Sequence, residues 1–323
     1  MLTEPLRRFY LTLRSAGIDR RIADSNWRRN RLLVLCWHGI SLDDEHLWRP
    51  GLYITPAQFR SRLALLRENN YKVLPLSEAL DRLWTGTLPP RSVAITFDDG
   101  AYDFHALAAP ALAEFGYPAT LYLTTYYVDY QRPVFSPMLA YLLWKAPPHK
   151  REAALAASIR VEKETHRDHL SGHDKDALLT SLARELDIDY EKILSRRILQ
   201  LMNQDEVRQL SDAGNITMEN HTHRHRTPVE PALVLRELRD NNARIEEITG
   251  RRPSHFCYPS GVFRKEYFPL LEQEHLRSAT TCEAGLASRD DNHYLIPRLL
   301  DHSFLPEWKF LAWLSGFHAL LPG

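Results

Sequence analysis

Cysteine is nearly absent: Cys36, Cys257 and Cys282 are the only three in 323 residues. Their odd count and wide spacing exclude a disulfide framework and a four-cysteine zinc site. Net charge is also missing, with 41 basic against 41 acidic residues. No global field draws the chain toward DNA or RNA, and no nucleic-acid partner is expected. No apolar run approaches the ~20 residues that cross a bilayer. The segment 1–18 is interrupted by Glu4, Arg7, Arg8 and Arg14, so it lacks the apolar core of a signal peptide. The expectation is a cytoplasmic protein with reduced thiols. Repeats and low-complexity tracts are lacking too, and nothing in the sequence bears on oligomeric state.

What is present is an ordinary globular composition, 44% hydrophobic and 25% charged. Residues 1–30 read as a short amphipathic helix and a linker, rich in arginine. Leu32 to Trp37 is a wholly apolar run, suited to a strand buried on both faces. Thr55-Pro56 opens a helix with Phe59, Leu63, Leu65 and Leu66 on its apolar face. Further strands are expected at 71–74, 92–97, 119–124, 216–219 and 255–258. Helices are expected from Ser77 to Leu83, over 104–115, over 204–213 between Asn203 and Gly214, and over 231–249 before Gly250. Strand and helix alternating in this way argue for a parallel α/β sheet or barrel. The alternation breaks at 131–200, read as a helical insertion with Asp174 capping a helix over 175–186. The expected division is therefore 1–30, a barrel over 31–304 and a C-terminal amphipathic helix over 305–323.

Two motifs carry chemistry. Thr96-Phe97-Asp98-Asp99-Gly100 and His221-Thr222-His223-Arg224-His225 each follow a buried strand. Carboxyl ends of parallel strands open on one face, so segments far apart in sequence can meet there. Two imidazoles and a carboxylate make a three-ligand metal site with positions left for water and substrate. A second, adjacent aspartate is free to accept a proton. Taken singly, Asp98-Asp99-Gly100 is equally a strand-ending turn, and the histidine segment a solvated loop. Their coincidence at the same end of two strands favours the site.

These two segments and Phe256-Cys257-Tyr258-Pro259-Ser260-Gly261 resemble, in order, the motifs of the polysaccharide deacetylase family, also called the NodB-homology or carbohydrate esterase family 4 fold. The resemblance spans roughly 31–304 apart from the insertion. It implies a distorted (β/α) barrel and a hydrolase that uses one divalent metal ion to remove N-acetyl groups from an amino sugar in a polysaccharide, oligosaccharide or glycan precursor. The family commonly uses zinc, and the donor set also accepts cobalt, nickel or iron. Carried onto this chain, the resemblance makes Asp99, His221 and His225 the metal ligands and Asp98 the general base. The backbone N–H of Tyr258 becomes an oxyanion donor. His223 receives no role beyond a structural one.

The acid is less direct. Many members place it in a late Leu-x-His segment, where this chain has Asp301-His302. Trp37-His38-Gly39 instead resembles the exopolysaccharide deacetylase branch, poly-N-acetylglucosamine deacetylases included, so His38 is preferred over His302. Its ring is expected across the metal from Asp98. The usual motif arginine is replaced by Phe256; Arg298 in Ile296-Pro297-Arg298, or less well Arg252, could supply that charge to Asp98. Trp308 to Leu314, with Phe317, either packs on the barrel or contacts the inner face of a membrane. Rival functions are a deformylase or deacetylase of a lipid-linked sugar, and a non-catalytic carbohydrate-binding relative.

Overall fold

Alternate residues of the first strand face different cores, and that division organises the molecule. The computed structural model describes residues 3–150, 152 and 172–320. Strand β1 (Arg31–Trp37) sends Leu33, Leu35 and Trp37 outward, under Phe59, Leu63 and Leu66 of the helix Pro56–Glu68. Leu32 and Val34 face inward. They meet Ala94, Tyr122, Cys257 and Ile296, together with Leu76, Ala79, Leu80 and Leu83 of the helix Leu76–Trp84. Both faces of β1 are buried, as its unbroken apolar run requires.

The remaining strands are β2 (Gly39–Ile40), β3 (Tyr53–Ile54), β4 (Lys72–Val73), β5 (Ser92–Phe97), β6 (Ala119–Leu123), β7 (Ile216–Asn220), β8 (His255–Cys257), β9 (Ser278–Thr280), β10 (Ala287–Ser288) and β11 (Leu299–Leu300). A parallel path runs β1-β5-β6-β7-β8-β9. The short segment 296–300 joins its two ends: Ile296 bridges Thr280 of β9, and β11 pairs in parallel with Leu35 and Cys36 of β1. The result is the distorted (β/α) barrel that the motifs implied. β10 adds an antiparallel edge at the start of β1.

Capping follows the sequence in most places. Thr55 Oγ1 accepts from Gln58 N at 3.1 Å. Asn203 and Glu206 form a reciprocal capping box ahead of the helix Gln204–Asp212. Ser77 is a correction: its helix begins at Leu76 after Pro75, and the Ser77 hydroxyl accepts instead from Arg277 Nη1. Asp174 is another, lying inside the first turn of the helix Gly172–Glu185. The segment 104–115 opens as a π-helix, Phe104–Ala108, before the helix Ala109–Phe115.

Within the insertion, the helices Phe135–Lys145, Gly172–Glu185 and Tyr190–Ser195 share an apolar cluster around Met138, Tyr141, Leu142, Leu179 and Leu182, which reaches Trp48 and Tyr53. Residues 151 and 153–171 of this segment lie outside the described residues. Phe310, Leu311, Trp313 and Leu314 of the helix Glu307–Ser315 are buried, and Phe317 packs 5.3 Å from Tyr10 of the helix Thr3–Ser15. The buried Arg28 donates to Leu314 O and Arg31 O, tying the end of that helix to the start of β1. No described helix is long and apolar enough to cross a membrane.

Candidate metal centre and active site

Strand register decides which side chains meet. β1 and β5 pair Trp37 with Phe97, so His38 and Asp98 leave neighbouring strands at one level. β6 and β7 pair Leu123 with Asn220, and β7 and β8 pair Asn220 with Phe256, which sets His221 beside Cys257. All these residues emerge at the carboxyl end of the barrel, where α/β folds place their ligands.

Asp99 Oδ1 lies 3.2 Å from His221 Nε2 and 3.3 Å from His225 Nε2. His221 Nδ1 is 2.9 Å from Cys257 O. A carbonyl only accepts, so Nδ1 carries a proton, and Nε2 is the nitrogen that would offer its lone pair to a metal beside Asp99. Asp99 Oδ1 is buried and has no hydrogen-bond donor among the described residues. Three lone-pair atoms thus converge with a cation's place between them. Ligands bonded at ~2.0–2.1 Å to a tetrahedral ion stand about 3.3 Å apart, so the donor set and its spacing fit a divalent metal.

The backbone is unusual here. Asp99, Thr222 and His225 have φ of 72°, 61° and 53°, a left-handed region that costs such residues energy and clusters at functional sites. Gly100, at φ 89°, adopts a conformation that strains any side chain, and a Cβ there would stand 2.3 Å from Leu123 Cδ1. His223 turns away, its Nδ1 2.8 Å from Thr125 Oγ1.

Asp98 sits behind the triad, 2% exposed. Arg298 grips it with two parallel bonds, Nη1 to Oδ1 at 2.7 Å and Nη2 to Oδ2 at 2.8 Å. Thr281 O and Thr96 Oγ1 fix the guanidinium from behind. Burial alone would raise the Asp98 carboxyl, but Arg298, together with His38 and His221, more than offsets it and holds the group well below the usual carboxylate range. Arg252 does not reach this pair; it bridges Glu246 and Glu274 instead.

His38 Nε2 is 3.6 Å from Asp98 Oδ2. The imidazole and carboxylate therefore share one wall, where the sequence suggested opposite sides of the metal. The His302 ring packs at a tilt against Phe304, 3.9 Å between centroids, and makes no ion pair or hydrogen bond with Asp98 or Asp99 among the described residues. The Tyr258 amide brings a second correction. It already donates to Thr280 O at 3.2 Å, extending the β8–β9 ladder, and is not free for an oxyanion.

Sequence reasoning missed Cys36 and Cys257. Both thiols are buried beside Asp98 Oδ2, at 3.6 and 3.7 Å, and Arg298 Nη2 also donates to Cys257 Sγ at 3.1 Å. The strand period held the signal, since Cys36 lies two residues before His38 and so on the same inward face.

The family model for polysaccharide deacetylase matches residues 85–279. A poly-beta-1,6-N-acetyl-D-glucosamine N-deacetylase of Escherichia coli (strain K12) is 29% identical over 99 residues, covering 30% of this chain and 14% of that relative. An enzyme of the same name from Staphylococcus aureus (strain MRSA252) is 20% identical over 275 residues, 82% of this chain and 73% of the relative. In fold, the chain is similar to the Streptococcus pyogenes deacetylase PplD in complex with acetate, with a TM-score of 0.61 at 16% identity, covering 87% of this chain and 96% of that one.

Proposed function

The chain belongs to the polysaccharide deacetylase family, and from that premise we propose that it hydrolyses N-acetyl groups from an N-acetylglucosamine-type polysaccharide, with one divalent ion, zinc, held by Asp99, His221 and His225. The names of the relatives support the substrate class. The observation that carries the chemistry is the Asp99 carboxylate facing two imidazoles at 3.2 and 3.3 Å, directly beside a second carboxylate.

An ion in that triad supplies Lewis acidity toward a water and the scissile carbonyl. Asp98 accepts the proton that the water loses as its oxygen bonds to the acetamide carbon. Arg298 keeps Asp98 ionised and aimed, at the cost of weakening it as a base, so the water must be acidified for the transfer to proceed. His38 gives a proton to the nitrogen as the carbon–nitrogen bond breaks, since an amine leaves poorly unless protonated. The 3.6 Å gap from Asp98 Oδ2 to His38 Nε2 provides a short route from the proton's acceptor to its donor. Acetate and a free amino sugar result.

The test is release of acetate from N-acetylglucosamine oligosaccharides by metal-loaded protein. Chelation should stop it and zinc should restore it. Turnover that survives full removal of metal would refute the proposal.

A further inference from the structure

Cys36 Sγ and His38 Nε2 both lie 3.6 Å from Asp98 Oδ2. Together they form a thiol, imidazole and carboxylate group whose ligand atoms are all within 4.8 Å of one another. We propose that Cys36, His38 and Asp98 form a second, weaker site for a thiophilic divalent ion such as zinc or cadmium, and that filling it shuts the enzyme off. The inference rests on the reading of Asp99, His221 and His225 as the resident site.

Arg298 does not block this site. A carboxylate oxygen has two lone pairs, and the bidentate guanidinium takes one on each oxygen of Asp98. Oδ2 has a second lone pair, and the Cys36 thiol and the His38 imidazole both lie 3.6 Å from that oxygen. Binding breaks the Cys36 S–H bond, forms a sulfur–metal bond and releases one proton to solvent. His38 Nδ1 is shielded and has no hydrogen-bond partner among the described residues, so none of them restrains the ring through that nitrogen from turning Nε2 onto an ion. His38 keeps 19% of its side chain exposed, which leaves an entrance.

Soft thiolate favours zinc and cadmium over magnesium, calcium or manganese. The nearby guanidinium charge makes this site weaker than the triad, so it fills second. A further group of Asp98, His221 and Cys257 has the same spacing. It cannot serve independently, because His221 belongs to the triad and Arg298 already donates to Cys257 Sγ.

The test is a cadmium titration of full-length protein, reading bound ions per chain and the ultraviolet sulfur-to-cadmium charge-transfer band. The first ion should bind without the band, and the second should bring it. Cys36→Ser should lose the second ion and the band while keeping the first; Cys257→Ser and Cys282→Ser should keep both. His38→Ala, a partly exposed position, should also lose the second ion and serves if Cys36→Ser fails to fold. In activity, excess zinc should inhibit wild type, and Cys36→Ser should need more zinc for the same inhibition. A band that persists in Cys36→Ser, or wild type that never takes a second ion, would overturn the proposal. Loss of the first ion's site in wild type would instead refute the triad.

Discussion

Arg298 and Asp98 stand 200 positions apart in sequence, yet they form a bidentate ion pair at 2.7 and 2.8 Å with 1% and 2% of their side chains exposed. Arg298 reaches the carboxylate from the segment that closes the barrel between β9 and β1. Asp98, the proposed base, is thus held by the barrel's seam, and closure of the fold is coupled to the state of this carboxylate.

Removing the guanidinium leaves a buried charge without a partner. Arg298→Ala should cost about 3–5 kcal/mol of stability and most of the turnover. Arg298→Lys keeps the charge and loses the fork, so it should recover part of the stability and less of the activity. Denaturant melts beside acetate-release rates check this; wild-type stability in Arg298→Ala would show that the pair contributes nothing.

Asp98 and Asp99 should separate in metal content. Asp98→Asn should keep its metal and lose turnover, because the proton acceptor is gone. Asp99→Asn should weaken both. Metal analysis of the purified variants decides, and equal loss of metal would contradict the division of roles.

His38→Ala should bind metal normally and lose ~10²–10⁴ in rate. His302→Ala should stay near wild type, given its distance from contact with either aspartate. The reverse pattern would move the acid to His302.

Two buried groups, Glu219 and His255, pull the pH dependence of stability in opposite directions. Burial pushes the Glu219 carboxyl up to about 8 in spite of two backbone donors at 2.7 Å. The folded chain therefore holds a proton that the unfolded chain, with a carboxyl near ~4.3, has released, and stability falls as pH rises between those values. Burial pushes His255 down to about 4, so it opposes that slope only up to the unfolded value near ~6.5. From pH 6.5 to 8 the His255 opposition has ended, and the Glu219 contribution to the slope is worth roughly 2 kcal/mol. Glu219→Gln should flatten it; thermal melts of the metal-loaded protein across that range, unchanged by the substitution, would refute the assignment.

Gly100→Ala should destabilise the fold by about 1–3 kcal/mol and lower metal affinity, because the new methyl meets Leu123 at the residue next to Asp99. An Ala variant with normal metal content and melting would show that the loop yields.

Much of this site can be read along the chain because its chemistry lies in short local segments. Asp98 and Asp99 are adjacent, and His221 and His225 sit in one loop. The apolar run of β1 and the capping box at Asn203 and Glu206 likewise depend only on near neighbours, which is why burial on both faces and a helix start were legible there. Ser77 misled because its helix begins one residue earlier, at Leu76 after Pro75, and its hydroxyl is engaged by Arg277, 200 positions away.

Side-chain type and strand period by themselves determined that two carboxylates and two histidines would stand at the end of buried strands. What they could not determine is lateral: which strands adjoin, in what register, and which lone pair is left free. Pairing of Trp37 with Phe97 puts His38 against Asp98. Pairing of β8 with β9 engages the Tyr258 amide with Thr280. The seam at Ile296 and Leu299 delivers Arg298. These contacts join residues tens to hundreds of positions apart, and only closure of the barrel settles them, because register is a property of two strands together and is written in neither one.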